Sequence, residues 1–270
     1  MTAEEAIKIV CDRFPFEGYI HPESGAHLNI AKTILRFLEP GGKILDFGSG
    51  PCDKTAVMQT LSFVCSAYDD LQDDWHKTAG NKDKILAFAR DFGIDFRVGR
   101  DDHPPFENNS FDMLMMHDVL EHLHDSPRDL LNDLLEFVRP DGYLFVTVPN
   151  AVNIRKRIDV LFGRTNYPRF EVFYWYPGPW RGHVREYTKD DLAKLAKYLG
   201  LHIEEIQSCH HVLEKLPTMA RPIYKAVTTV FKGWRDSWML VARKKADWSP
   251  NKSLPHNRLK EILASGGAYQ

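Results

Sequence analysis

Long apolar runs are missing from this sequence: no stretch approaches the roughly 18 residues that a membrane-spanning helix needs. A basic excess is missing too. Lysine and arginine number 35 against 37 aspartates and glutamates, for a formal net charge of -2, so no chain-wide positive field points to nucleic acid as a partner. Cysteine is scarce. Cys11, Cys52, Cys65 and Cys209 make no C-x-x-C pair, and residues 1–10 have neither the basic start nor the long apolar centre of a secretory leader. Reduced thiols in a cytoplasmic protein are therefore expected. There is no internal repeat and no low-complexity tract. What is present is a globular composition, 43% hydrophobic and 27% charged, in a length that suits one large α/β domain with a modest insertion.

Apolar spacing predicts helices over 3–13 and 24–38, the second ended by Pro40-Gly41-Gly42. Short apolar strands follow at 43–47, 63–68, 95–98, 112–116 and 143–148, with helices at 53–61, 81–92 and 126–138 between them. Strand alternating with helix implies a parallel, doubly wound sheet. The rhythm breaks over 151–187, which is aromatic and basic. It resumes with a helix at 188–198, a strand at 202–208, a helical stretch at 218–231 and a last strand at 237–243. The polar tail 247–270 reads as peripheral.

The strongest local signal is Ile44-Leu45-Asp46-Phe47-Gly48-Ser49-Gly50-Pro51. An apolar strand delivers the chain to a tight turn, and its glycines allow positive φ and close approach of a ligand to the backbone. About twenty residues on, Asp69 and Asp70 end the second strand, where an acid can accept hydrogen bonds from ribose hydroxyls. Cys52-Asp53 stands where a dinucleotide fingerprint has its third glycine, and an acid at the helix start opposes a pyrophosphate. Both features favour an adenosine cofactor without phosphates over NAD.

Asp46-x-Gly48-x-Gly50 resembles motif I of class I S-adenosylmethionine-dependent methyltransferases, and the resemblance runs from about Leu28 to Lys244. It implies a Rossmann-like, doubly wound, mostly parallel seven-stranded sheet with an antiparallel last strand, and S-adenosyl-L-methionine as cofactor. By this resemblance Asp46, Gly48, Ser49 and Gly50 form the cofactor loop, and Asp69, with Asp70 beside it, holds the ribose. Asp101 or Asp102, ahead of Pro104-Pro105-Phe106 and Ser110-Phe111-Asp112, meets the adenine amine. His117-Asp118-Val119-Leu120-Glu121-His122 resembles the motif after strand four, with His117 against the cofactor. Arg139-Pro140-Asp141-Gly142-Tyr143 resembles the turn before strand five, with Asp141 where the family usually has glycine.

Methyl transfer from a sulfonium is a direct displacement, so the enzyme chiefly aligns the partners, and an oxygen nucleophile also needs a base. His183, Asp118 and His122 are the catalytic candidates. Blander roles stand beside them: Asp118 as a helix N-cap, Glu121 as a capping residue, His117 as packing. No H-x-x-x-H or C-x-x-C pattern requires a metal, and His210-His211 reads as a solvated strand end.

Within 151–187 the rings of Tyr167, Phe170, Phe173, Tyr174, Trp175, Tyr176 and Trp180 interleave with Arg155, Lys156, Arg157, Arg164, Arg169, Arg181 and Arg185. This connection lies over the cofactor edge of such sheets and can serve as a lid. Arg155, Tyr174, Trp180 and Arg181 are the candidate substrate contacts. The same aromatics could instead form a packed subdomain or a homodimer interface. The expected organisation is therefore 1–42 as N-terminal helices on the core, 43–246 as the cofactor domain with 151–187 as substrate lid, and 247–270 as the tail. The His-x-Arg-Glu-Tyr-Thr stretch at 183–188 resembles the small-molecule and glycan group of the family. That favours O-methylation of a sugar or glycan-pathway intermediate. The rivals are a lipophilic aromatic or quinone-like acceptor, RNA, and a non-catalytic cofactor-binding protein. An apolar pocket without arginine would favour the aromatic acceptor.

Overall fold

The computed structural model describes residues 1–99, 104–164, 168–211, 213 and 216–265. The chain opens with helices α1 (Ala3–Arg13) and α2 (Gly25–Phe37), followed by β1 (Lys43–Phe47), α3 (Asp53–Thr60), β2 (Val64–Asp69), α4 (Asp74–Lys77), α5 (Asn81–Asp91) and β3 (Asp95–Val98). Then come β4 (Phe111–His117), α6 (Pro127–Glu136), β5 (Val138–Pro149), α7 (Ile154–Leu161), α8 (Phe170–Tyr174) and α9 (Lys189–Tyr198). β6 (His202–Cys209), α10 (Arg221–Val230), β7 (Ser237–Arg243) and α11 (His256–Ser265) complete the strands and α-helices among the described residues.

One seven-stranded sheet has the order β3-β2-β1-β4-β5-β7-β6. Strands β1 to β5 pair in parallel, and β7 runs antiparallel to both β5 and β6. Met113 to Met116 on β4 are all fully buried, as expected of a central parallel strand covered on both faces. Their alternation divides the core. Met113 and Met115 join Ile7, Ile30, Ile34, Val57 and Phe88 from α1, α2, α3 and α5 on one face. Leu114 and Met116 join Leu131, Leu134 and Leu192 from α6 and α9 on the other. The N-terminal helices thus share the main core. On α1 the inward face is Ala3, Ala6, Ile7 and Val10, leaving Ile9 at the surface. Thr2 and Glu5 form a capping box at its start.

One stretch differs from the sequence expectation. Pro140-Asp141-Gly142 does not separate α6 from a strand beginning at residue 143. Strand β5 starts at Val138, and the register against β4 slips between Phe111 and Met113. Asp141, at φ +61°, donates its N–H to the Lys244 carbonyl, while Gly142 O accepts from Lys244 N–H, so the turn is absorbed as a bulge. The Lys244 ammonium is buried and donates to the Leu135 and Val138 carbonyls, tying the end of β7 to this bulge.

The tail does not wander off. Trp248 Nε1 donates to Leu199 O at 2.7 Å, Asn251 N–H donates to Asn132 Oδ1 at 2.7 Å, and Lys252 pairs with Asp133, while the rest of the described tail, α11 included, is largely exposed. Trp248→Ala is expected to lower unfolding free energy by roughly 1–3 kcal/mol, from the lost hydrogen bond and ring packing, and denaturant melts will check it.

Candidate active site

The carboxyl ends of β1, β2 and β4 open on one cavity of about 610 Å³. Such crevices, at the reversal of strand order, are where open α/β sheets bind ligands. Its described lining includes Gly48, Ser49, Gly50, Asp69, Asp70, His117, Asp118 and His122, and, from the aromatic segment, Pro179, Trp180 and Arg181. The loop after β1 is shaped by two glycines, Gly48 at φ +73° and Gly50 at φ +52°. A Cβ at Gly48 would sit 2.5 Å from Val119 Cγ2, so the cradle is tight as well as left-handed.

Asp69 closes this turn. One carboxylate oxygen accepts from Gly50 N–H at 2.8 Å and the other from Leu71 N–H at 2.7 Å. Asp70 accepts from Gln72 N–H and faces Arg181, whose guanidinium also reaches Asp73 at 2.5 Å. Asp46 lies beneath the loop, outside the cavity lining. Its carboxylate is buried and accepts the Thr55 hydroxyl at 2.5 Å, tying β1 to α3, and burial pushes its pKa up to about 7. Asp101 and Asp102 lie outside the described residues.

His117 is buried at the cavity wall, with Nδ1 3.2 Å from the Thr147 hydroxyl and Nε2 without a hydrogen bond. Burial drives its pKa well below the usual range, so the ring is neutral at pH 7. Asp118 adopts φ +59°, in the left-handed region that aspartate enters more readily than most L-residues. It caps no helix: its N–H donates to Thr147 O and its carboxylate lies 3.5 Å from His211 Nε2.

A second cavity, an open groove of about 560 Å³, adjoins the first. Its described lining is Pro168, Phe170, Phe173, Val184, His183, His124 and Trp180, and the last two line both cavities. The rings of His122 and His183 meet edge to face at the junction, 4.9 Å apart. His122 Nδ1 donates to Arg181 O at 2.7 Å, and His183 Nδ1 is 2.9 Å from Glu186 Oε1. Glu186 in turn pairs with Lys156, which is buried although its neighbours on α7 are not. Burial, with the positive charge of Arg155 adding to it, pulls Lys156 down to about 8. Burial first, then His122 and Lys156, pulls His183 down to about 4, so it is a neutral base at pH 7. Glu121 completes the cluster with its side chain fully buried. Burial and the neighbouring Asp118 push its pKa up to about 8.

The structure thus brings together His183, His122 and Asp118, with Trp180 and Arg181 above them. Arg155 and Tyr174 are exposed and line neither cavity. The aromatics of α8 do not form a packed subdomain within this chain: Phe170, Phe173, Tyr174 and Trp175 are more than half exposed. Tyr19, Lys54, Asp73, Trp75 and His76 line the cofactor cavity without any motif in sequence to mark them.

The cradle fits an adenosine-bearing ligand without phosphates. Its glycine turn admits close approach, and among its described lining residues Asp53, Asp69, Asp70, Asp73 and Asp118 outnumber the lysine and arginine side chains, Lys54 and Arg181. Comparison with known proteins agrees. A family described as "Methyltransferase domain" matches residues 24–206. A structure of an S-adenosylmethionine-dependent methyltransferase from Aquifex aeolicus superposes with a TM-score of 0.52 at 14% identity, covering 89% of this chain and 97% of that one. The 1,6-didemethyltoxoflavin-N1-methyltransferase of Burkholderia thailandensis, solved with 1,6-didemethyltoxoflavin and S-adenosylhomocysteine bound, gives 0.53 at 17% identity, covering 90% and 88%. The demethylmenaquinone methyltransferase of Corynebacterium glutamicum is 26% identical over 151 residues, 50% of this chain and 60% of that protein's length. The fold and cavity are of the Rossmann-like kind that the methyltransferases share. The chain belongs to the class I S-adenosylmethionine-dependent methyltransferases, and S-adenosylmethionine is its cofactor.

Proposed function

We propose that this enzyme methylates a hydroxyl on an apolar, ring-bearing acceptor of quinone-precursor type, seated in the groove beside the cofactor cavity. One observation carries the reading: the groove is lined by Phe170, Phe173, Trp180 and Val184 with no arginine among its described residues, and it meets the cofactor cavity at His124 and Trp180. Flat apolar rings gain from such walls, through burial and through edge or face contacts. Bound S-adenosylmethionine supplies a methyl on a positively charged sulfur. The chain's own residues align the acceptor, exclude water around it and take the hydroxyl proton at the junction of Glu121, His122 and His183. The name of the Corynebacterium relative, demethylmenaquinone methyltransferase, supports an acceptor of this class.

The sugar or glycan acceptor favoured by the sequence draws less support. Arg155, Arg157, Arg164, Arg169 and Arg185 are exposed outside the groove lining, and Arg181 is occupied by Asp70 and Asp73. An RNA acceptor is opposed by the acids lining the cofactor cavity. The test is a screen with methyl-labelled cofactor against naphthols, catechols and hydroquinones beside nucleotide sugars. Label is expected in the phenolic acceptors, with Phe173→Ser raising KM more than it lowers kcat. His183→Gln should lower kcat by about 10²–10⁴-fold with cofactor binding intact. Label found only in sugars would overturn the reading.

A further inference from the structure

The Glu121 carboxylate is anomalous. Its side chain is fully buried, yet neither oxygen has a hydrogen-bond partner. A buried carboxyl without a partner is costly to ionise, and a bound cation would restore the carboxylate form. The buried ammonium of Lys156 is already paired with Glu186, and the Lys54 ammonium lies beside Asp53. One atom each from Glu121, His122 and His183 lie within 4.8 Å of one another. Both rings are turned for ligation. His122 Nδ1 faces a carbonyl oxygen, so it must carry the proton and leave Nε2 with its lone pair. His183 Nδ1 faces the Glu186 carboxylate, which fixes the same tautomer. A carboxylate or carbonyl behind each ligating imidazole is the recurrent outer shell of metal sites.

We infer that Glu121, His122 and His183 bind one divalent transition-metal ion at the junction of the two cavities. Two imidazole nitrogens and a carboxylate oxygen suit zinc, iron, cobalt or manganese rather than magnesium or calcium. An ion about 2.1 Å from each ligand needs them roughly 3.4 Å apart, so the cluster draws in modestly on binding. Three protein ligands leave a position open toward the cavities, as in catalytic rather than structural sites. A hydroxyl oxygen there would lose its proton at lower pH than in water, and that proton would pass to water in the open groove, since Glu121, His122 and His183 would then serve as ligands and not as the base. This last step rests on the acceptor reading above; the site itself does not.

Sequence hides the site because Glu121 and His122 are adjacent while His183 lies 61 positions beyond His122, brought back by Val184 N–H donating to Glu121 O. The experiment uses the untagged full chain, stripped with a chelator. Cobalt(II) is titrated by visible absorption and zinc(II) by calorimetry. One ion per chain is expected in the wild type, and none in Glu121→Gln or His122→Ala. Glu186→Gln should bind it about 10- to 100-fold more weakly. Far-ultraviolet circular dichroism and a thermal melt, measured for every variant, report an intact fold; if Glu121→Gln fails that control, His183→Gln at the partly exposed edge replaces it. Failure of the wild type to bind either ion, or binding that survives loss of the ligands in a folded variant, would overturn the site. Neither result depends on which acceptor is methylated, so the two readings fail separately.

Discussion

Alanine in place of Asp53 is expected to destabilise the protein by roughly 3 kcal/mol at pH 7. Asp53 opens α3, and its carboxylate lies 2.7 Å from His27 Nε2 on α2, with both side chains buried. Lys54 stands 3.7 Å from the same oxygen. Burial pushes the Asp53 carboxyl up, but Lys54 and the His27 hydrogen bond outweigh it and hold it well below the usual carboxylate range. A depressed carboxylate contributes stability that is complete above its unfolded pKa, near 4, and is lost as pH falls toward the folded value. Denaturant melts of wild type and Asp53→Ala should therefore lie furthest apart at neutral pH and draw steadily closer as pH falls below about 4. A gap that persists in acid would mean the loss comes from packing rather than charge. Because the pair joins α2 to α3, the variant should also loosen the N-terminal helices first, visible as faster amide exchange over 25–37.

The second large effect is at Gly48. Gly48→Ala asks an L-residue to hold φ +73°, at roughly 1–2 kcal/mol, and places its methyl 2.5 Å from Val119 Cγ2. The loop must shift, and S-adenosylmethionine affinity should fall by more than tenfold in a calorimetric titration. Val119→Ala added to the variant removes the overlap but not the φ strain, so recovery should be partial. Full recovery would show that the turn tolerates alanine and that only the contact matters. No loss at all would mean that the backbone at residue 48 does not approach the cofactor.

Much of the architecture was legible in sequence because the central strands are short, apolar and punctuated. Ile44-Leu45 ends at Gly48, Met113–Met116 ends at His117, and Val146–Val148 ends at Pro149-Asn150. Runs buried on both faces need no period to be found. The glycine turn and the acids after β2 were equally visible, since backbone conformation forces glycine and the strand end fixes the acids' position. Their partners were not. Asp69 occupies its carboxylate with the backbone N–H groups of Gly50 and Leu71, a relation that no spacing rule encodes. Lys156 reads as one of three successive basic residues, Arg155-Lys156-Arg157, and only the turn of α7 puts the middle one inside. Glu121 reads as a capping acid; that its oxygens are buried and without hydrogen bonds depends on where residues 183–186 return. Pro140-Asp141-Gly142 misled for a related reason. Turn chemistry marks a reversal or a bulge alike, and the neighbouring strand, through Lys244, decides which.

The position of β7 has a consequence for the order of assembly. It lies between β5 and β6, although β6 precedes it in the chain. Pro149 pairs with Ser237, and Cys209 pairs with the same residue from the other side. On a ribosome, β6 emerges with no strand to join, and the outer edge of β5 stays bare until residues 237–243 appear. Polar residues at the open end of β6 (His202, Glu204 and Glu205) give the waiting strand little apolar surface with which to pair wrongly. Closing this half of the sheet depends on contacts distant in sequence, which form slowly. The groove beside His183 hangs from the far end of β5, so its walls are set only after that late insertion is complete.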